Sequence, residues 1–141
     1  MPSSASPFHY AFKVDDLEST RQFYLQLLGC TEGRSTDHWV DFDFFGHQLS
    51  AHVAPNQPPL DYCGQVDGVA VPIPHFGAVI PTEDFQVIQD RLEQSGVTFI
   101  IPPTLRYAGK PGEQMTMFVL DPSGNPLEFK AYSRPDEVFQ Q

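Results

Sequence analysis

The stretch MTMFVLDPSGNPLEFKAY, from Met115 to Tyr132, gives the strongest structural signal in the sequence. Its central run DPSGNP, residues 121–126, combines a proline that fixes φ, a glycine that permits positive φ, and Asp and Asn side chains that bond to their own backbone. Strand-forming runs flank it on both sides, so the stretch predicts a β-hairpin. In the second run Glu128 lies between Leu127 and Phe129. A carboxylate in an apolar strand is costly to bury unless a cation meets it.

Length and composition set the broad class of the protein. The 141 residues suit one globular domain with a core of ordinary size. The 18 acidic and 8 basic residues give a net charge of −10, and no basic cluster is present to contact phosphates, which excludes a nucleic-acid partner. Cys30 and Cys63 are too few for a disulfide framework or a structural zinc site. Without a signal peptide or a membrane-spanning run, we expect a cytoplasmic protein with no membrane partner.

The first half of the chain has the pattern β-α-β-β-β. Phe8–Val14 alternates between two faces, as a strand does. Asp15 and Asp16 then offer a helix N-cap, Glu18 completes a capping box with Asp15, and Gly29 ends the apolar helical stripe. Three further strands are predicted at Cys30–Arg34, His38–Phe45 and His47–Val53.

The second half repeats this pattern. Its first strand is predicted at His75–Ile80, its helix begins near Pro81 with Thr82 as the cap, and Gly96 ends that helix. The strands that follow are predicted at Val97–Ile101, Leu105–Tyr107, Met115–Leu120 and Leu127–Tyr132.

This repeat predicts the organisation of the whole chain. We expect one α+β domain over residues 1–141, with module one at about 8–53, a Pro- and Gly-rich connector at 54–73, module two at about 74–132 and a polar tail at 133–141. A βαβββ module cannot cover its own sheet. The two modules are therefore expected to pair, within one chain or across a dimer, and to form a curved mixed sheet around a cleft.

The alignment of the two halves gives related positions to three side chains that bind metals. His9 falls on His75, each at the start of the first strand of its module, and Glu128 lies in the last strand of module two. All three are expected to converge in the cleft. Two imidazoles and one carboxylate form the facial triad that suits Fe(II), and the same set accepts Mn(II) or another divalent ion. Such a metal would supply the cation that Glu128 needs.

Three stretches carry a resemblance to a known family: FHYAFKVDDLESTRQFYLQLLG at 8–29, HFGAVI at 75–80 and FVLDPSGNPLEFK at 118–130. With them the chain resembles the vicinal oxygen chelate superfamily, which includes glyoxalase I, bleomycin-resistance proteins, fosfomycin-resistance enzymes and extradiol dioxygenases. The resemblance implies paired βαβββ modules around a divalent-metal cleft and a homodimer. It also implies metal ligands at His9, His75 and Glu128.

The residue of module one that matches Glu128 bears on the reaction. It is Ser50, a poor ligand, whereas glyoxalase I-like sites use four protein ligands; three-ligand sets belong to the extradiol dioxygenases and the fosfomycin-modifying transferases. The run that ends at Glu128 resembles the signature of ring-cleaving dioxygenases. Phe118 replaces the tyrosine of that signature, and the region 109–111 replaces its histidine. We therefore expect an extradiol-dioxygenase-like enzyme that binds a small substrate through vicinal oxygens.

Other functions fit the same family. A glyoxalase-type isomerase or a fosfomycin-type thiol transferase would also be a metal-dependent enzyme. A non-catalytic protein that binds a small molecule is a third class, and the complete ligand trio counts against it.

Two side chains outside the trio are predicted to act on the substrate. His52 lies two residues after Ser50, hence on the same strand face, and is the candidate general base; the alternative is a surface histidine at a strand end. Tyr107 is the candidate hydrogen-bond donor. It belongs to a loop with Arg106 and Lys110 that is predicted to close over an anionic substrate, and the alternative is an ordinary surface loop.

Overall fold

Residues 6–141 are described by a computed structural model. They form two compact units, and the chain passes from one to the other after Gln57. Each unit contains a four-stranded mixed sheet, and the two sheets have the same strand order. The α+β class predicted from the sequence is confirmed.

The first unit follows the predicted β-α-β-β-β order. Its elements are β1 (His9–Val14), α1 (Leu17–Arg21), a π-helical continuation of α1 (Gln22–Leu27), β2 (Thr31–Ser35), β3 (Trp39–Phe44) and β4 (His47–Val53). The sheet has the order β1-β4-β3-β2, in which β1 runs parallel to β4 and the other pairs are antiparallel. A parallel pair needs a crossover connection, and the helix with the two strands after it provides one.

Helix α1 is capped differently from the prediction. Asp16 is the N-cap, and its carboxylate accepts hydrogen bonds from the backbone N–H of Ser19 at 2.7 Å and from its hydroxyl at 2.8 Å. The capping box predicted between Asp15 and Glu18 is wrong, because the residue three positions after the true cap is Ser19. Gly29 follows the helical segment with a φ of 80°, as its predicted role as the helix end requires.

The first sheet buries one face against its helix. Tyr24 is fully buried, and its ring lies 5.7 Å from that of Phe12 on β1 and 5.2 Å from that of Phe42 on β3, centroid to centroid. Strand residues alternate between faces, so His9 and Ser50 lie on the opposite face from these aromatic rings. That face also carries Gln48, which pairs with His9, and Asp41, which pairs with Ser50.

The second unit repeats the order of the first after an additional hairpin. Its elements are β5 (Gly64–Val66), β6 (Val69–Val71), β7 (Phe76–Val79), α2 (Thr82–Ser95), β8 (Phe99–Arg106), β9 (Gln114–Leu120), β10 (Pro126–Tyr132) and a 3₁₀ turn (Pro135–Glu137). The main sheet has the order β7-β10-β9-β8, and β7 runs parallel to β10. Each strand thus occupies the place of its counterpart in the first sheet, and α2 buries Phe85, Ile88 and Leu92.

Two local predictions for this unit differ from the structure. Thr82 is the first residue of α2 and not its cap, since the N-cap position is Pro81, which forms no side-chain cap. The two short strands predicted over 97–107 are one bulged strand, β8. The polar tail contains the 3₁₀ turn, where the buried Glu137 accepts a hydrogen bond from the backbone N–H of Gly112 at 3.0 Å.

The segment interpreted as a plain connector contains the hairpin β5–β6. Its turn is Asp67-Gly68, with φ values of 48° and 81°, as the tight turn of a two-residue hairpin requires. The hairpin adds Val71 to a buried cluster with Ile101 and Phe118 of the main sheet. Therefore this segment covers part of the second sheet.

The hairpin turn at 121–126 has the predicted form. Asp121 accepts hydrogen bonds at Oδ1 from the backbone N–H groups of Ser123 (2.9 Å) and Asn125 (2.8 Å), and Gly124 has a φ of 87°. The turn fixes the register between β9 and β10, in which Glu128 pairs with Phe118.

Two further predictions concern membranes and cysteines. Among residues 6–141, no helix has both the length and the apolar character needed to cross a bilayer. Cys30 and Cys63 are free thiols. Burial raises the pKa of Cys30 to about 12, so this thiol is unreactive, whereas Cys63 is exposed.

Candidate metal centre

The second unit brings two of the predicted metal ligands together. His75 lies immediately before β7, and Glu128 lies in β10, the parallel neighbour of β7. The Nε2 atom of His75 is 3.4 Å from Oε1 of Glu128. The side chain of Glu128 is 9% exposed and that of His75 is 23% exposed. The carboxylate is thus largely removed from water, while the imidazole remains accessible to a small ligand.

The orientation of His75 is set through its other ring nitrogen. Nδ1 is 2.7 Å from the carbonyl oxygen of Pro72, and because a carbonyl only accepts, Nδ1 carries a proton. The ring of Phe118 packs edge-on against the imidazole, with the centroids 4.6 Å apart. Nε2 is therefore directed at the carboxylate. Histidines that bind metals commonly donate the other ring N–H in this way.

The orientation of Glu128 is set by Thr116 on β9. The hydroxyl of Thr116 donates to Oε2 of Glu128 at 2.8 Å, and Thr116 is buried. This hydrogen bond engages one carboxylate oxygen and leaves Oε1 facing His75. Both partners of the pair thus have one polar atom fixed by the protein and one directed at the other.

Gly77 permits the close approach of β7 to β10 at this point. It pairs with Glu128 in the parallel ladder, and a Cβ at Gly77 would overlap the carbonyl oxygen of Glu128. The pairing requires glycine here for lack of space, not for its backbone angles.

The chemistry of the pair fits a divalent cation. When the imidazole of His75 is neutral, its Nε2 and Oε1 of Glu128 are both acceptors. At 3.4 Å these two atoms repel each other unless they share a proton or a metal ion. A buried carboxylate also needs compensation of its charge. Imidazole nitrogen and carboxylate oxygen are ligands that Fe(II) and other divalent ions accept.

The third predicted ligand, His9, belongs to the first unit. It is exposed, and its Nδ1 is 2.8 Å from Oε1 of Gln48, an acceptor, so this nitrogen also carries a proton and Nε2 is left for a ligand. His9 therefore has the same tautomer as His75. Within either unit, over the described residues, no three His, Cys, Asp and Glu side chains are grouped as a metal site. The role of His9 as a ligand stays a prediction.

The structure gives Ser50 a carboxylate neighbour that the sequence reasoning missed. Asp41 pairs with Ser50 across β3 and β4, and its Oδ1 accepts the hydroxyl proton of Ser50 at 2.5 Å. Its Oδ2 is 3.4 Å from Nε2 of Gln48. Both oxygens of Asp41 thus have partners within the sheet. The alternation of WVDFDF is the sequence signal for this contact, because it places Asp41 on the same sheet face as Ser50.

The two predicted catalytic side chains lie in different units. His52 is an exposed residue of β4 in the first unit, and its ring centroid is 6.3 Å from that of Trp39. Tyr107 follows β8 in the second unit, is half exposed, and has a φ of 56°. Its hydroxyl accepts a hydrogen bond from Nη2 of Arg106 at 3.0 Å. Their catalytic roles stay predictions.

The loop predicted around Tyr107 divides into two parts. Arg106, the last residue of β8, donates from Nε to Oδ2 of Asp67 at 2.8 Å and from Nη2 to Oδ1 at 3.2 Å. Burial works to lower the pKa of Arg106, but the hydrogen bond to Asp67 and the electrostatic effects of Tyr107, Asp67 and Glu128 raise this pKa above its ordinary value. Lys110 instead lines a separate small cavity with Glu137.

The chain matches a known protein family and resembles known structures. Residues 6–129 match the family described as Glyoxalase/Bleomycin resistance protein/Dioxygenase superfamily. A glyoxalase/bleomycin resistance protein/dioxygenase from Alicyclobacillus acidocaldarius is similar in structure, with 28% identity, a TM-score of 0.77 and coverage of 99% of this chain and 100% of that one. A comparison with curated proteins finds no match.

Two more distant structures share the fold. The fosfomycin resistance protein FosX from Listeria monocytogenes has 19% identity and a TM-score of 0.70, over 98% of this chain and 100% of that one. A virulence protein from Salmonella typhimurium has 20% identity and a TM-score of 0.61, over 94% of this chain and 99% of that one.

Proposed function

The chain belongs to the glyoxalase/bleomycin resistance protein/dioxygenase superfamily, and on this premise we propose that it is a divalent-metal-dependent enzyme with an extradiol-dioxygenase-like reaction. The observation that carries the proposal is the pair of acceptors, Nε2 of His75 and Oε1 of Glu128, directed at each other at 3.4 Å. The substrate class is a small molecule with two vicinal oxygens.

The ligand set of the proposal is His75, Glu128 and His9, with Fe(II) as the favoured ion. When bound, the metal supplies Lewis acidity and a template for the two substrate oxygens. The tautomer that His9 shares with His75 supports His9 as a ligand. Its Nδ1–H donates a hydrogen bond to Gln48, so its Nε2 is left for coordination. His9 comes either from the same chain or from the second copy in a homodimer. The metal content of a mixture of His75→Ala and His9→Ala chains distinguishes the two arrangements.

The protein's own groups hold the ligands and move protons. Pro72 and Thr116 fix the orientations of His75 and Glu128, so that little reorganisation is needed on binding. His52 is proposed as the general base that takes the proton of a substrate hydroxyl. Tyr107 is proposed as a hydrogen-bond donor, since its hydroxyl accepts from Arg106 and keeps its own proton to donate.

Three protein ligands, and not four, favour this reaction over a glyoxalase-type isomerisation. The hydroxyl of Ser50 donates a hydrogen bond to Asp41, and serine is a poor metal ligand. Asp41 in turn has hydrogen-bond partners for both of its oxygens. The first unit thus offers no free carboxylate at the position that matches Glu128, which leaves coordination positions open for substrate.

Oxygen uptake by the iron-loaded protein tests the proposal. The protein is purified without oxygen, loaded with Fe(II), and mixed with a panel of catechols in an oxygen electrode, while the absorbance of ring-cleaved products is followed. We expect catechol-dependent oxygen uptake in the wild type, none in His75→Ala, and wild-type rates in His38→Ala, a histidine outside the site.

A protein that holds stoichiometric iron and consumes no oxygen with any catechol would contradict the dioxygenase assignment. The same loaded protein is then mixed with a thiol and a small epoxide. Product formation in that mixture would assign the transferase chemistry instead, and binding of a small molecule without turnover would assign a binding protein.

A further inference from the structure

A small cavity in the second unit has Thr116 in its lining. It has a volume of about 250 Å³ and is bounded by the hairpin β5–β6 on one side and the sheet on the other. The apolar residues of its lining are Val66, Val69, Ile100, Ile101 and Pro102, and the polar ones are Asp67, Thr104, Arg106 and Thr116. Thr116 also donates a hydrogen bond to Glu128, so one residue of the cavity lining contacts the candidate metal site.

Arg106 is the cation of this cavity. Its side chain is only 14% exposed, and its guanidinium is held by Asp67 and Tyr107 through Nε and Nη2. The Nη1 nitrogen, with its two N–H groups, has no hydrogen-bond partner among residues 6–141. A guanidinium in a partly apolar cavity is a strong site for a planar or tetrahedral anion, which it binds through two parallel hydrogen bonds.

Asp67 is a weak competitor for this cation. It lies at the tip of the hairpin, and its side chain is 57% exposed. A carboxylate that is already largely hydrated loses little when it exchanges a surface ion pair for water. A ligand that presents its own anion to Arg106, and also fills the apolar part of the cavity, gains the burial of its hydrophobic body in addition.

We propose that this cavity binds a small anion with an apolar body, whose carboxylate or phosphonate group replaces Asp67 on Arg106. The inference deepens the proposed function, on which it rests, by naming the substrate class: an anionic compound whose vicinal oxygens extend past Thr116 toward the metal. The volume is below the range of pockets for drug-sized ligands, so the body is about the size of a single ring.

Binding to the metal-free protein tests this inference separately from the metal chemistry. The full chain is treated with a chelator, and benzoate and phenylphosphonate are titrated in parallel by calorimetry. Both probes share the apolar ring, so a difference between the two titrations identifies the preferred anion. We expect saturable binding of at least one of them to the wild type.

Three variants give the expected pattern. Arg106→Gln removes the charge-assisted hydrogen bonds and is expected to weaken binding about tenfold or more. Arg91→Gln, which alters an exposed arginine of α2, is the matched control and is expected to bind as the wild type does. Asp67→Asn removes the competing anion and is expected to tighten binding about threefold.

The sign of the Asp67→Asn effect separates a ligand site from a structural ion pair. If Asp67 only fastened the hairpin, its loss would loosen the cavity and weaken binding, which would overturn the proposal. Unchanged affinity in a folded Arg106→Gln variant would overturn it as well. His75→Ala is expected to bind the probe normally and to lose the metal, so failure of the metal site and failure of the anion site are distinguishable.

Discussion

The two units share one topology but differ at the place where they would bind a metal. In both, a histidine at the start of the first strand donates Nδ1–H to an acceptor, Gln48 for His9 and Pro72 for His75. In the second unit the strand beside it supplies Glu128, with one oxygen free to face the histidine. In the first unit the matching residue is Ser50, which is bound to a carboxylate on the next strand. The repeat therefore conserves the imidazole and places the available carboxylate in one unit only.

This difference has a backbone counterpart. Glu128 pairs with Gly77, and Ser50 pairs with Ala11 at the equivalent position of the first sheet. The first sheet accommodates a Cβ on the strand next to Ser50, whereas the second has no room for one. Close strand approach and the imidazole–carboxylate pair thus occur together in the second unit.

The largest expected effect is the loss of metal from single histidine variants and its return on mixing. His75→Ala and His9→Ala are each expected to bind no stoichiometric Fe(II). If His9 is supplied by the second copy of a dimer, a refolded mixture of the two variants recovers about a quarter of the wild-type metal content, because about half of the dimers are mixed and one of their two sites is intact. If His9 is supplied within the chain, the mixture recovers none. Elemental analysis after anaerobic gel filtration measures the content.

Full metal content in either single variant would contradict the ligand set. His38→Ala, treated in the same way, is the control for the loss of a histidine outside it.

Gly77→Ala tests the close approach of the strands. The added Cβ would overlap the carbonyl oxygen of Glu128, so the free energy of unfolding is expected to fall by about 2–3 kcal/mol, with loss of metal affinity. The matched change, Ala11→Gly, relieves no overlap and is expected to cost under about 1 kcal/mol. Urea denaturation of the metal-free variants measures both. Equal costs for the two changes would mean that the two sheets do not differ in this respect.

Thr116→Val tests the orientation of Glu128. The variant keeps the shape of the side chain and removes the hydrogen bond to Oε2, so metal affinity is expected to fall about 10–100-fold. Thr116→Ser restores the hydroxyl and is expected to restore most of the affinity. Competition with a chelator of known affinity measures the change. Wild-type affinity in a folded Thr116→Val variant would show that this hydrogen bond has no part in metal binding.

The smallest effect is expected for Asp41→Asn in the first unit. Both oxygens of Asp41 are engaged by Ser50 and Gln48, so the metal affinity is expected to stay within about twofold of the wild type. The free energy of unfolding is expected to fall by about 1 kcal/mol, since one charged hydrogen bond is weakened. A loss of affinity as large as that of Thr116→Val would mean that the carboxylate of the first unit takes part in the site.

Most of the topology, and both members of the pair formed by His75 and Glu128, can be predicted from the sequence. Turn chemistry at 121–126 and the alternation of β10 placed Glu128, and the repeat related it to His75, because these signals are local or periodic. The hairpin β5–β6 differs from the prediction: Asp67-Gly68 is a strong turn signal, but the prolines around it favour a connector. The partners Pro72 and Thr116 depend on register across strands, which no local pattern specifies.

The anion site illustrates the same limit. The sequence predicts that Arg106 and Lys110 belong to one loop. The structure separates them, and it pairs Arg106 with Asp67, 39 residues away in the chain. Contacts of this kind arise from the packing of the hairpin on the sheet and become visible only in three dimensions.

Nitrogen chemical shifts of the histidine rings, recorded during a titration with Zn(II) as a diamagnetic probe, test the central claim most directly. Long-range ¹H–¹⁵N spectra of the metal-free protein are expected to show His9 and His75 with the proton on Nδ1. On addition of equimolar Zn(II), the Nε2 signals of these two histidines are expected to shift together, while those of His38, His47 and His52 stay in place. A titration that shifts neither His75 nor His9, or that shifts the other histidines instead, would contradict a metal centre built on His75 and Glu128.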